Sequence, residues 1–276
     1  MNTLNNIIHR IVYFLIIIFI SLTFNIIFSK ERFESNTDNI DIDYFVISMN
    51  KPNRLESIQR QLDKVQTKTT DPNDKTEFIV VDAVVGMDLN LPELIANNQI
   101  SKDYSGNGEQ DSKQRRGEYG CYMSHLKVYN LIKEHNHPGY SVVFEDDFDI
   151  KTDDFVIKMA KITETINDYN PDFDLLYLGT NYENHGELIK DDIYKIDKGS
   201  NLFGAHAILV NNKSIDKIIQ NTQIIKVPID VALQELCFDD KLTGLIIYPN
   251  IVSQQFDKLD STITGFRTRS GFRTMR

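Results

Sequence analysis

The chain has 276 residues, 41% hydrophobic and 10% aromatic, with 30 Lys+Arg against 40 Asp+Glu for a formal charge of −10. That apolar content supports a folded core and excludes wholesale disorder. The acidity excludes a nucleic-acid partner, which needs a basic stripe to displace counterions. Two cysteines exclude a disulfide scaffold.

Residues 1–30 hold Arg10, Lys30 and no acid. Within them, residues 11–28 form an uncharged run broken only by Ser21, Thr23 and Asn25. A bilayer span takes about 20 mostly apolar residues, and a core helix would show a polar face. The run ends Ile27-Phe28-Ser29-Lys30, a poor cleavage site. Residues 1–30 are therefore expected to be a transmembrane signal anchor, ahead of a cleaved signal peptide. Residues 31–42 read as a stem. The expected topology is type II, with the rest of the chain lumenal or extracytoplasmic.

From residue 43 the patterning alternates. Residues 43–49 form an apolar, β-branched run that predicts a buried strand. Apolar residues at 55, 58, 62 and 65 predict a helix over 54–65. Strands are expected at 77–81, 141–144, 175–178, 205–210 and 245–248. Helices are expected at 91–97, 118–134, 153–166, from about 213, and at 230–238, with a long polar loop at 99–116. This order predicts an α/β domain over 43–260, with a mostly parallel sheet flanked by helices. Residues 261–276 carry Arg267, Arg269, Arg273 and Arg276 and no acid. They read as a tail, or as a segment folded over an anionic ligand.

In open α/β sheets, ligands bind beyond the carboxyl ends of the strands. Glu145-Asp146-Asp147 follow a strand there. Clustered carboxylates repel, and a hard divalent cation relieves that repulsion; Mg²⁺ or Mn²⁺ held by carboxylates and phosphate oxygens is such an arrangement. The plain alternative is a solvated strand end. Gly117, Gly120 and Ser124 form a small-residue stripe on the 118–134 helix, open to a ligand or to close packing. His125 follows, as a ligand or a core histidine. Arg54 can pair with a diphosphate or be a surface residue. Asp82 ends a strand, as a ribose or base acceptor or a turn former. Asp230 starts a helix, as a cap or a general base. Cys121 and Cys237 read as free thiols, and Asn212-Lys213-Ser214 is the one glycosylation sequon.

Together these residues resemble glycosyltransferase family 25, the lipo-oligosaccharide and collagen hydroxylysine galactosyltransferases. Residues 44–50 with Arg54 resemble its opening strand and Asn50…Arg54 turn. Residues 81–86 resemble its Asp-Ala-Val-x-Gly element. Gly117-Glu118-Tyr119-Gly120-Cys121 with Ser124-His125 is similar to its Gly-Glu-x-Gly-Cys-x-x-Ser-His signature. Residues 143–147 and Val227-Pro228-Ile229-Asp230 resemble its acidic strand end and its Pro-x-Asp segment. The segment continues Val231-Ala232, without the acid usual in the collagen enzymes.

The resemblance implies a glycosyltransferase-A-type domain, a UDP-sugar donor and Mn²⁺ (or Mg²⁺). It also implies inverting transfer of galactose or glucose to a glycan or to a hydroxylysine-bearing protein. It places the cation on Asp147 with Glu145 or Asp146, and the donor near Asn50, Arg54, Asp82, Gly120, Ser124, His125, Glu145 and Asp146. Asp230 is then the catalytic base. A metal-dependent hydrolase and a non-catalytic lumenal binding module are the competing expectations; turnover of a nucleotide-sugar with release of UDP separates them.

Overall fold

The computed structural model describes residues 42–66, 78–169, 172–181, 186–200 and 202–255. The expected anchor, nearly all of the stem and the Arg-rich tail lie outside them. Among the described residues no helix is long and apolar enough to cross a membrane.

The chain runs β1 (Ile42–Ser48), α1 (Pro52–Gln66), β2 (Phe78–Asp82), a 3₁₀ turn (Gly86–Asp88), α2 (Leu91–Ala96), α3 (Lys113–His135), β3 (Tyr140–Glu145), β4 (Phe148–Ile150) and α4 (Phe155–Tyr169). It continues with β5 (Leu175–Tyr177), β6 (Leu188–Lys190), β7 (Ile193–Lys195), β8 (Ala207–Asn211), a second 3₁₀ turn (Asn212–Ser214), α5 (Ile215–Thr222), α6 (Ile229–Phe238), β9 (Gly244–Ile247) and β10 (Val252–Gln254).

Eight strands form one sheet in the order β2-β1-β3-β8-β5-β9-β7-β6. β1 pairs in parallel with β2 and β3, and β5 with β9, while β8 and β7 run against their neighbours. The sheet is thus mixed, with most strands pointing one way. β1 and β3 are continuous apolar runs because helices or aromatics cover both their faces. Phe45, Ile47 and Val143 join Tyr122, Val128, Tyr129 and Ile132 of α3 in the main core. On the other face Tyr44, Phe78, Phe144, Phe148 and Phe155 interlock, with the Phe144 and Phe148 rings stacked 4.2 Å apart.

α3 begins five residues before its expected start. The Ser112 side chain caps it by accepting from the Arg115 N–H, and Lys113 to Arg116 are good helix formers. Its small residues serve a loop. A β-carbon at Gly120 would lie 2.6 Å from the Val84 carbonyl and 2.8 Å from the Gly86 nitrogen. Ser124 Oγ accepts from Val84 N at 2.8 Å, and Arg116 Nη1 donates to the carbonyls of Gly86, Met87 and Leu89. So α3 is fastened to the turn that follows β2. In an isolated helix Gly→Ala stabilises by about 1 kcal/mol; here Gly120→Ala forces backbone apart, at about 1–3 kcal/mol. Thermal unfolding is expected to show a lowered Tm, opposite to helix propensity.

The sequon is not open to modification in the folded chain. Asn212 is buried, and its amide donates to the His137 carbonyl at 3.1 Å.

Candidate active site

The acidic triplet is where three parts of the fold meet. β3 ends at Glu145, and Asp146-Asp147 form the turn into β4. The side-chain alternation expected of an extended strand therefore stops at Glu145, and the three carboxylates take three directions.

Glu145 faces α3. Its Oε1 lies 3.2 Å from His125 Nε2 and 3.5 Å from Cys121 Sγ. Cys121 and His125 are four residues apart, one turn of α3, so both reach the same point. Burial alone would raise Glu145. The hydrogen bond and charge of His125, with His206 and the Cys121 thiol, outweigh it and hold the carboxyl below its ordinary value. Burial and the charge of Glu145 push the Cys121 thiol well up.

Asp146 faces β1. Its Oδ2 accepts from Ser48 Oγ at 3.0 Å and Met49 N at 3.2 Å, and its Oδ1 from Arg54 Nη1 at 2.9 Å. Both oxygens are engaged. Arg54 is buried, and its guanidinium is committed to this acid and, at 3.6 Å, to Asp147.

Asp147 faces β10. Its Oδ2 accepts from Gln254 Nε2 at 3.0 Å, and its carbonyl accepts from Gln255 N at 2.7 Å. Its Oδ1 is buried with no hydrogen-bond partner among the described residues. Burial and the charge of Glu145 push this carboxyl up to about 7, against the help of Gln254 and Arg54. A buried carboxylate oxygen with no donor, beside a second carboxylate, is what a divalent cation satisfies. The residues present therefore fit Mn²⁺ or Mg²⁺.

Asp230 joins from α6. Its Oδ2 accepts from Gly204 N at 3.1 Å and its Oδ1 from Val231 N at 2.9 Å. It is thus tied to the loop before β8, which turns at Gly204 with φ +91°. Burial raises its carboxyl, the Gly204 and Val231 N–H groups lower it, and the charge of Glu145 raises it further; the net shift is upward.

Asn50 and Asp82 stand apart from the carboxylates. They hydrogen-bond to each other at the ends of β1 and β2, with Asn50 in the left-handed region at φ 54°. Gly120 and Ser124 face the 84–86 turn. Glu118 of the same helix is buried and accepts from Tyr104 Oη at 2.8 Å and from Asn107 Nδ2 at 2.8 Å, bracing the 101–112 loop. The signature helix thus divides its work: Glu118 to one loop, Gly120 and Ser124 to another, Cys121 and His125 to Glu145.

A family model described as glycosyltransferase family 25 (LPS biosynthesis protein) matches residues 41–233. The chain belongs to glycosyltransferase family 25. Membership of a glycosyltransferase family weighs against the hydrolase expectation. Procollagen galactosyltransferase 1-A of Xenopus laevis is 30% identical over 139 residues, which is 49% of this chain and 20% of that relative. The match thus spans one fifth of the relative's length. Among solved structures, A197 from STIV matches with TM-score 0.37 and 10% identity over 79% of this chain and 86% of that one. Mouse xyloside xylosyltransferase 1 in its apo form gives 0.37 and 8% over 71% and 81%. Apo UDP-glucose pyrophosphorylase gives 0.36 and 12% over 75% and 72%. Likenesses of that size carry no weight for fold or function.

The family-25 chain also places residues at the site that its motifs do not mark. Gln254 reaches Asp147, and its Oε1 accepts from Asn181 Nδ2 at 3.3 Å. Asn181 N donates to the Phe203 carbonyl at 3.0 Å, one residue before Gly204, the partner of Asp230. These bonds link Asp147 to Asp230. A hydrogen bond to a charged group contributes about 1.5–3 kcal/mol. Gln254→Leu is therefore expected to raise the Mn²⁺ concentration needed for UDP binding on the order of tenfold, read by calorimetry at graded Mn²⁺.

His206 is fully buried, and neither ring nitrogen has a hydrogen bond of good geometry among the described residues. Burial drives it down to about 4, against the charge of Glu145 and the Val252 backbone.

Proposed function

We propose that the chain moves a hexose, galactose or glucose, from a UDP-sugar onto a hydroxyl of a glycan or of hydroxylysine in a collagen-like protein, with inversion at the sugar. The observation that carries this reading is the buried Oδ1 of Asp147, without a hydrogen-bond partner among the described residues, beside Glu145 at the carboxyl end of the central sheet. The family supports sugar transfer. The named function of the Xenopus relative favours galactose and a procollagen acceptor.

Asp147 and Glu145 would hold Mn²⁺ or Mg²⁺. When bound, the cation neutralises charge developing on the UDP leaving group. Asp146 has both oxygens on protein donors, so its role is to fix Arg54 and the turn. Arg54 in turn keeps Asp146 and Asp147 together, and His125 orients Glu145. The Asn50–Asp82 pair at the rim would meet the nucleoside. Gly120 and Ser124 would act at a distance, by holding the turn below Asp82. Asp230 would take the proton of the acceptor hydroxyl; its raised carboxyl is a stronger base than an ordinary aspartate.

A glycosyltransferase-A-type domain over 43–260, a signal anchor over 1–30, a stem at 31–42 and a lumenal or extracytoplasmic site complete the proposal. A panel of UDP-sugars with Mn²⁺, scored for UDP release, tests it against hydroxylysine peptides and saccharide acceptors. Acceptor-dependent and Mn²⁺-dependent UDP release is expected. Metal-independent turnover would contradict the reading.

A further inference from the structure

We infer that Cys121, His125 and Glu145 form a second cation position, selective for a thiophilic dication such as Zn²⁺, that shares Glu145 with the donor's cation. The observation is geometric. Cys121 Sγ, His125 Nε2 and a Glu145 carboxylate oxygen all lie within 4.8 Å of one another. Glu145 Oε1 is 3.2 Å from His125 Nε2 and 3.5 Å from Cys121 Sγ. Zinc takes nitrogen and oxygen at about 2.0–2.2 Å and sulfur at about 2.3 Å in a tetrahedron, so its ligand atoms stand about 3.3–3.8 Å apart. Two of the three edges are already near that spacing, and closing the sulfur–nitrogen edge, which is at most 4.8 Å, takes a shift of no more than about 1.5 Å.

The fourth direction has a candidate of its own. The β3–β8 register pairs Phe144 with Ala207, and the next bond, Glu145 N to the His206 carbonyl at 3.1 Å, sets His206 opposite Glu145. Opposite residues on antiparallel strands point to the same face. His206 is fully buried with both ring nitrogens unpartnered among the described residues. Its charge acts on Glu145, but its nitrogens lie outside the 4.8 Å Cys–His–Glu group, so it would serve as a further ligand only after its ring turns away from the Val252 backbone.

The donor types set the selectivity. Sulfur and imidazole nitrogen favour Zn²⁺, whereas the Asp147 side offers only oxygens, which suit Mg²⁺ and Mn²⁺. Zinc binding displaces the thiol proton of Cys121 to solvent, requires His125 with Nε2 free of hydrogen and any remaining hydrogen on Nδ1, and holds Glu145 on the α3 side in competition with the cation at Asp147. This consequence rests on the proposed role of Glu145 and Asp147 in holding the donor's cation: Zn²⁺ should suppress Mn²⁺-dependent UDP binding.

The test uses the full chain stripped of metal with a chelator. Co²⁺ titration is expected to give a thiolate-to-cobalt charge-transfer band at one equivalent. Zn²⁺ should displace it and Mn²⁺ should not. Cys121→Ser should abolish the band and weaken Zn²⁺ at least about tenfold, while Cys237→Ser keeps both. Asp147→Asn should keep the band while losing Mn²⁺-dependent UDP binding, which separates this proposal from the donor reading. No band in the wild-type chain overturns the inference even where UDP and Mn²⁺ bind normally. A band that survives Cys121→Ser overturns it as well.

Discussion

Asp147→Asn is expected to abolish Mn²⁺-dependent UDP binding and hexose transfer, and at the same time to stabilise the metal-free protein above neutral pH. The two effects share one cause. Asp147 Oδ1 is buried without a donor among the described residues, and burial together with the neighbouring charge of Glu145 lifts the carboxyl to about 7. In the unfolded chain an aspartate titrates near 3.9. The folded value is raised, so stability is fully present below about 4 and is lost as pH rises through about 7. At about 1.4 kcal/mol per pKa unit, holding the bare charge at pH 8 costs on the order of 4 kcal/mol. Asparagine keeps the shape and removes the charge. Thermal unfolding without metal should therefore show the variant more stable than wild type at pH 8 and equal to it near pH 4. Added Mn²⁺ should raise the Tm of the wild type only. A variant that is less stable at pH 8 would show that Asp147 is a structural acceptor.

Asp230→Asn is expected to lower kcat by about 10²–10⁴, the usual contribution of a positioned base, and to leave UDP affinity nearly unchanged. Asp230 is held by Gly204 N and Val231 N, and among the described residues its hydrogen bonds go to none of Arg54, Asp146 and Asp147. Its raised carboxyl must be deprotonated to accept a proton. Wild-type kcat should therefore fall on the acid side with an inflection above the aspartate norm of about 3.9. The variant should lose that inflection. Pre-steady-state transfer at saturating donor, with UDP affinity from calorimetry, checks both halves. A kcat within threefold of wild type would remove Asp230 from the chemistry.

Much of this architecture is readable from residue patterning, and the exceptions have physical reasons. β1 and β3 stand out as long apolar runs because both their faces are covered. The helices show 3.6-residue spacing because one face meets the sheet. The three-residue strands β4, β6, β7 and β10 are too short to carry a period of two. The reversed direction of β8 leaves no trace in its own residues, and it is this reversal that sets His206 opposite Glu145. Gln254 reaches Asp147 across 107 positions through the β10–β4 pair, so no local motif could announce it. Glu145-Asp146-Asp147 stands out in the sequence as an acidic cluster, but the three directions of its carboxylates do not. Asp146 turns to Ser48 and Arg54 because the chain leaves strand geometry after Glu145. The small residues of α3 mark close approach, and the structure shows the approaching group to be the 84–86 turn.

The claim at the centre of this account is that Asp147 and Glu145 hold the cation through which UDP binds. The most direct measurement is UDP affinity of the full chain with and without Mn²⁺, by calorimetry at pH 7.5. Tight binding is expected with Mn²⁺, at least about tenfold weaker binding without it, and no Mn²⁺ effect in Asp147→Asn. Equal UDP affinity with and without the metal, or an undiminished Mn²⁺ effect in the variant, would contradict it.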